Sequence, residues 1–144
     1  VVVPPEHALL DVRSIGLADL ARHPIVTYEP GFTGRPHIDE AFAKHDLVPD
    51  IVLTAMDADV IKTYVAEGLG IGIIAEMAFN AEADRSLRAI ESRHLFASNM
   101  TRLAVRRGAY LRAYTYAFIE LFAPQLAREA IETAMNNEGE DYTI

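Results

Sequence analysis

Residues 51–75, IVLTAMDADVIKTYVAEGLGIGIIA, decide the fold class. Ile51 to Ala55 is apolar and rich in β-branched residues, hence a strand. A helix opens at Met56 or Asp57 and carries Val60, Ile61, Tyr64 and Val65 on one face. Gly68 ends it as a C-cap, because glycine enters the left-handed region without a Cβ penalty. Gly70 to Ala75 (GIGIIA) then reads as a buried strand. The same pattern precedes it. Pro24 to Tyr28 (PIVTY) is a strand, Glu29-Pro30-Gly31 turns the chain, and Pro36 begins a helix that runs to about Lys44 and buries Ile38, Ala41 and Phe42. Strand, helix, strand, helix, strand is the pattern of a parallel sheet with right-handed crossovers, so the expected class is α/β.

The flanks are shorter and mixed. Val1 to Val3 reads as the tail of a buried strand stopped by Pro4-Pro5. The chain opens on this apolar run instead of Met, so it reads as a fragment that begins inside a strand. Ser14 starts a short helix with Leu17, Leu20 and Ala21, ended by His23-Pro24. Asn80 to Ser86 is a loop or frayed helix, and Leu87 to Ile90 a short strand. Met100 to Arg106 alternates and predicts another strand, with Gly108 as its turn. Tyr110, Leu111, Tyr114, Phe118, Leu121 and Phe122 recur at helical spacing and are expected to be core. Pro124 breaks that helix, a second one continues to about Met135, and Asn136 to Ile144 is a polar tail.

A length of 144 residues with 51% hydrophobic and 24% charged content suits one globular domain. The net charge of -8 argues against nucleic-acid contact by this chain, since phosphates need clustered Lys and Arg. Without Cys there are no disulfides, Cys-zinc sites or thiol chemistry, which is compatible with a reducing compartment. The longest apolar run, Leu69 to Ala75, is too short to span a bilayer, and no basic stretch leads into a long apolar one as in a signal peptide.

Gly31-Phe32-Thr33-Gly34-Arg35-Pro36 places glycines and a threonine between a strand and a helix N-terminus. Such a loop either cradles an anion with its N–H groups and the helix dipole, or is a tight turn needing Gly for backbone reasons. Thr54-Ala55-Met56-Asp57 has the same placement one unit later, where open α/β sheets bind ligands. Asp57 and Asp59 fall in a helix's first turn, where carboxylates cap free N–H groups. Gly68-Leu69-Gly70-Ile71-Gly72 follows a helix and opens a strand, the reverse of a dinucleotide fingerprint, and reads as a cap leading into a closely packed strand. The histidines at 7, 23, 37, 45 and 94 lack metal-ligand spacing, no serine has a nucleophile-elbow context, and no catalytic pair is found, so the chain is not read as an enzyme. Arg102, Arg106, Arg107 and Arg112 form a basic cluster, expected to be solvated or to bridge subunits.

VTYEPGFTGR (Val26 to Arg35), PDIVLTAMDADVIKTYVAEGL (Pro49 to Leu69), GIGIIAE (Gly70 to Glu76), His94-Leu95-Phe96 and the closing EDYTI resemble LysR-type transcriptional regulators of the CysB and Cbl branch. The resemblance implies a periplasmic-binding-protein-like (type II) domain of two α/β lobes with an effector between them. This chain would supply mainly the second lobe, about residues 16 to 122, with its ends returning to the first lobe. The winged helix-turn-helix and most of the first lobe would lie outside it. It also implies a cytoplasmic homo-oligomer controlling sulfur assimilation, with no cofactor, no membrane contact, and DNA bound only through the N-terminal domain. Effectors in this branch are sulfate, thiosulfate, acetylserines and adenosine phosphosulfate. The binding positions carried over are Gly31, Phe32, Thr33, Gly34, Thr54, Ala55 and Met56. Met56 departs from the branch, which has threonine or glutamine there; it cannot donate a hydrogen bond, a loss of about 1 kcal/mol. Pro4 is a second departure, where CysB is expected to carry threonine. A transporter's solute-binding protein, or a small-acid enzyme on the same fold, are the alternatives.

Overall fold

The computed structural model describes residues 1–32, 34–98, 102–106 and 108–136. The chain forms two compact units, Val1–Met100 and Thr101–Ile144.

The first unit is built on one mixed sheet of strands β1 (Val2–Val3), β2 (Ile25–Tyr28), β3 (Ile51–Ala55), β4 (Ile71–Gly72) and β5 (Arg88–Ala89). Their order is β3-β2-β4-β1-β5. β3, β2 and β4 run parallel, as the alternating pattern predicts, whereas β1 pairs antiparallel with both β4 and β5. The parallel expectation concerns the three alternating strands and holds for them; for Val1 to Val3 no direction is expected, since hydrophobic pattern identifies a buried strand but carries no direction. β1 ladders inside this unit, Val2 facing Gly72 on one side and Ala89 on the other.

Helices α1 (Leu17–Leu20), α2 (Arg35–Ala43) and α3 (Ala58–Ala66) connect the strands. One apolar cluster gathers Val3, Leu20, Ile25, Ile38, Phe42 and Ile71; a second gathers Val26, Ala55, Ile61, Val65 and Leu87. Alternate residues of β2 therefore feed opposite faces of the sheet, Ile25 to one cluster and Val26 to the other, as the two-residue period of a strand requires. In α3, Ile61 and Val65 are fully buried while Val60 and Tyr64, predicted on the same face, are about 40% exposed. The predicted strand Gly70 to Ala75 is laddered only at Ile71–Gly72, though Ile73 N–H still donates to the Val26 carbonyl at 3.1 Å. After β4, Lys62 of α3 holds the following loop through Asp84 (3.0 Å) and the Ala78 carbonyl (3.0 Å).

The second unit contains α4 (Ala113–Phe122) and α5 (Arg128–Asn136). Two expectations are corrected here. Residues 102–106 form no strand, and Met100 and Thr101 lie outside the described residues. The aromatic stripe is not core: Tyr110, Tyr114, Phe118, Leu121 and Phe122 are all exposed, Tyr110 by 90%, while Ile119 is buried. Helical period shows that a helix has an apolar face, not what covers that face. In the basic cluster, Arg102, Arg106 and Arg112 are exposed and Arg107 lies outside the described residues. No helix among the described residues is long and apolar enough to cross a membrane.

Candidate functional site

The parallel pair β2 and β3 brings the two singled-out loops side by side. Thr27 faces Thr54 and Tyr28 faces Ala55 in the ladder. One residue further the Glu29 N–H donates to the Ala55 carbonyl at 3.1 Å. Both strands thus end at one edge, the carboxyl edge of the sheet, where open α/β sheets leave a crevice. Of the predicted residues, Ala55 is buried and Thr54 exposed; Met56 is 64% exposed and Phe32 38%. Gly31 sits at φ 96°, a conformation that favours glycine. Thr33 lies outside the described residues.

The two helix starts differ electrically. α3 is capped by Asp57, whose Oδ1 accepts from Val60 N–H at 2.9 Å, and Asp59 follows in its first turn. The capping role expected for Asp57 is what the structure shows; Asp59 pairs with Lys62 at 2.8 Å. Two carboxylates offset the dipole there and repel an anion. α2 begins instead at Gly34, which offers no side-chain cap, and its first turn has no acidic residue. His37 lies in that turn with its Nδ1 buried and without a hydrogen-bond partner among the described residues. Such atoms ordinarily find a partner, so this end of α2 retains unused hydrogen-bonding capacity.

Three residues that sequence reading missed frame the loop. Arg35 Nη1 donates to the Tyr28 carbonyl at 2.8 Å, and its Nε donates to Asp39 Oδ1 at 2.7 Å. The Tyr28 hydroxyl accepts from the Ala75 N–H at 3.1 Å. The buried Thr27 hydroxyl donates to the Ile73 carbonyl at 2.9 Å. The segment after β4 therefore joins the same edge. Arg35 and Tyr28 stand inside the quoted loop sequence; Asp39 lies four residues from Arg35 on the same helix, but the Ala75 partner of Tyr28 is set by folding and carries no local signal. Nowhere among the described residues do three or more His, Asp or Glu gather as metal ligands would.

The chain has close counterparts among known proteins. Residues 1–127 match the family model described as the LysR substrate binding domain. The HTH-type transcriptional regulator CysB of Burkholderia cenocepacia is 54% identical over 143 residues, covering 99% of this chain and 46% of its own length. SsuR of the same organism, also an HTH-type transcriptional regulator, is 52% identical over 126 residues, 88% of this chain and 41% of its own. The chain thus spans about half the length of the curated relatives it matches. Among solved structures, the cofactor-binding domain of the Cbl transcriptional regulator matches with a TM-score of 0.83 at 42% identity, over 94% of this chain and 60% of that one.

Proposed function

The chain belongs to the LysR substrate-binding domain family, whose fold is α/β and periplasmic-binding-protein-like, and on that premise we propose that it is the effector-sensing part of a transcriptional regulator of sulfur metabolism. The observation that carries the reading is the juxtaposition of the two strand-end loops, Glu29 N–H bonded to Ala55 O, beside a helix start free of carboxylates. A small oxygen-rich effector is held at Gly31, Phe32, Thr33, Gly34, Thr54, Ala55 and Met56, chiefly by backbone N–H groups and the two threonine hydroxyls. The charge of -8 supports an effector held by neutral donors and DNA contact made elsewhere in the protein. The sulfur assignment draws on the CysB, SsuR and Cbl relatives, each named a transcriptional regulator.

The chain supplies mainly the second lobe of a two-lobed domain, and effector binding draws the lobes together, shifting the arrangement of a cytoplasmic homo-oligomer on DNA. The exposed Met56 thioether cannot donate, which disfavours bare sulfate and favours an effector bearing an apolar group beside its oxygens. The test is thermal unfolding of the full-length protein with sulfate, thiosulfate, O- and N-acetylserine and adenosine phosphosulfate. A ligand at a hundred times its Kd adds about 2.7 kcal/mol. A rise with one compound, abolished by Thr54→Val, supports the site; no rise with any of them removes the sulfur effector.

A further inference from the structure

β2 ends in a small network that reaches in two directions. Toward the glycine loop, Arg35 folds back from the first turn of α2 onto the Tyr28 carbonyl, with its second bond to Asp39 one helical turn on. Its side chain is only 12% exposed, and its planar fork is engaged on both sides. Toward β4, the Tyr28 hydroxyl receives the Ala75 N–H, and the neighbouring Thr27 hydroxyl is bonded to Ile73. Tyr28 is thus gripped at its backbone by the first turn of α2, across the glycine loop, and at its ring tip by the segment that follows β4. The Arg35 bond is charge-assisted, the stronger class of hydrogen bond.

We infer that Arg35 and Tyr28 are positioning residues that hold the glycine loop and the segment after β4 in one fixed arrangement, so that the effector meets both. The inference rests on the reading that the effector binds at these strand ends. Neither residue is assigned a ligand contact: the guanidinium acts through the Tyr28 carbonyl, and the ring through the Ala75 amide. Coupling of this kind is reciprocal, so loosening either grip loosens both loops. Neither half of the network would achieve this alone, because the glycine loop has φ-permissive Gly31 at its centre and the segment after β4 keeps its backbone bond to β2 only as far as Ile73.

The test has one arm that needs no ligand. Backbone amide exchange is followed at Phe32 and at Ala75 in the unliganded full-length protein, for wild type, Arg35→Met, Arg35→Lys and Tyr28→Phe. Arg35→Met is expected to speed exchange at Ala75 as well as at Phe32, Tyr28→Phe to speed both, and Arg35→Lys to restore part of the protection. Faster exchange confined to the substituted residue's own side overturns the coupling. In the second arm the same variants are titrated with sulfate, thiosulfate, the acetylserines and adenosine phosphosulfate. Arg35→Met and Tyr28→Phe should each weaken binding by about tenfold, and the double variant by clearly less than the product of the two. Wild-type affinity in both single variants overturns the positioning role. Should the wild type bind none of the compounds, the sulfur-effector reading fails, and the exchange arm still decides the coupling.

Discussion

Gly70→Ala isolates what the glycine run between α3 and β4 is for. A Cβ built on Gly70 would lie 2.8 Å from the Pro24 carbonyl carbon and closer still to its oxygen, which is backbone and cannot swing aside. That oxygen accepts the Ile71 N–H at 2.9 Å, the first bond joining β4 to the β2 side of the sheet. Ordinary contact needs more than 3 Å, so the strand must move outward and that hydrogen bond must lengthen or break. Overpacking of this kind costs about 1–3 kcal/mol and the lost bond about 1 kcal/mol more, giving a total of about 2–4 kcal/mol. Gly68→Ala is the matched control: its φ is 83° and nothing lies within 4 Å of the added Cβ. It should cost only the left-handed penalty of about 1–2 kcal/mol. Urea unfolding at equilibrium reads both values, with unchanged m as the sign that the denatured state is the same. If Gly70→Ala proves no more destabilising than Gly68→Ala, the close strand approach is wrong and the run is glycine-rich for some other reason.

Other substitutions test the surroundings of the site and the second unit. Thr27→Val keeps shape but removes the buried donor to the Ile73 carbonyl, and is expected to lower stability by about 1 kcal/mol by denaturant titration. His7 accepts the Leu9 N–H on its Nδ1, and burial, then the facing His23 ring 4.8 Å away, holds its pKa below the ordinary 6.5. Above pH 6.5 neither state holds the proton; as pH falls below it, the unfolded chain takes a proton the folded one does not, so stability declines until the folded imidazole also titrates. His7→Asn, which keeps a capping acceptor, should flatten that limb of a stability–pH curve, and an unaltered slope would exonerate His7. In the 144-residue chain, Phe118→Glu should change unfolding by less than about 0.5 kcal/mol, whereas Ile119→Ala, at a residue 2% exposed, should cost about 2–4 kcal/mol.

The readable features are those whose cause is local. The β-branched run Ile51 to Ala55 becomes β3 with the predicted bounds, and Asp57 caps α3 because a carboxylate there meets a free N–H wherever the chain goes next. Gly68 ends α3 at positive φ, again a requirement of one residue's backbone. What failed depended on a partner elsewhere. Residues 102–106 alternate in exposure as a strand would, yet a strand exists only when another supplies the ladder, and none of the described residues does so. The stripe on α4 has the period of a core face, and Tyr114, Phe118, Leu121 and Phe122 are nonetheless exposed, because period alone does not specify what covers a face.

The site divides along the same line. That the ends of β2 and β3 lie at one edge was legible, because strand-to-helix loops in parallel units must emerge there, whatever the side chains. The residues that fix their geometry were not, since the Ala75 amide lies 47 positions from the Tyr28 hydroxyl that receives it. Arg35 is the instructive case: it sits in the quoted motif, in the first turn of α2, where a cation opposes the helix dipole. Opposing the dipole costs about 0.3–1 kcal/mol, and the bonds to the Tyr28 carbonyl and Asp39 offset it. That conflict between local preference and position is visible in sequence alone, whereas the Tyr28 carbonyl contact that helps resolve it emerges only on folding.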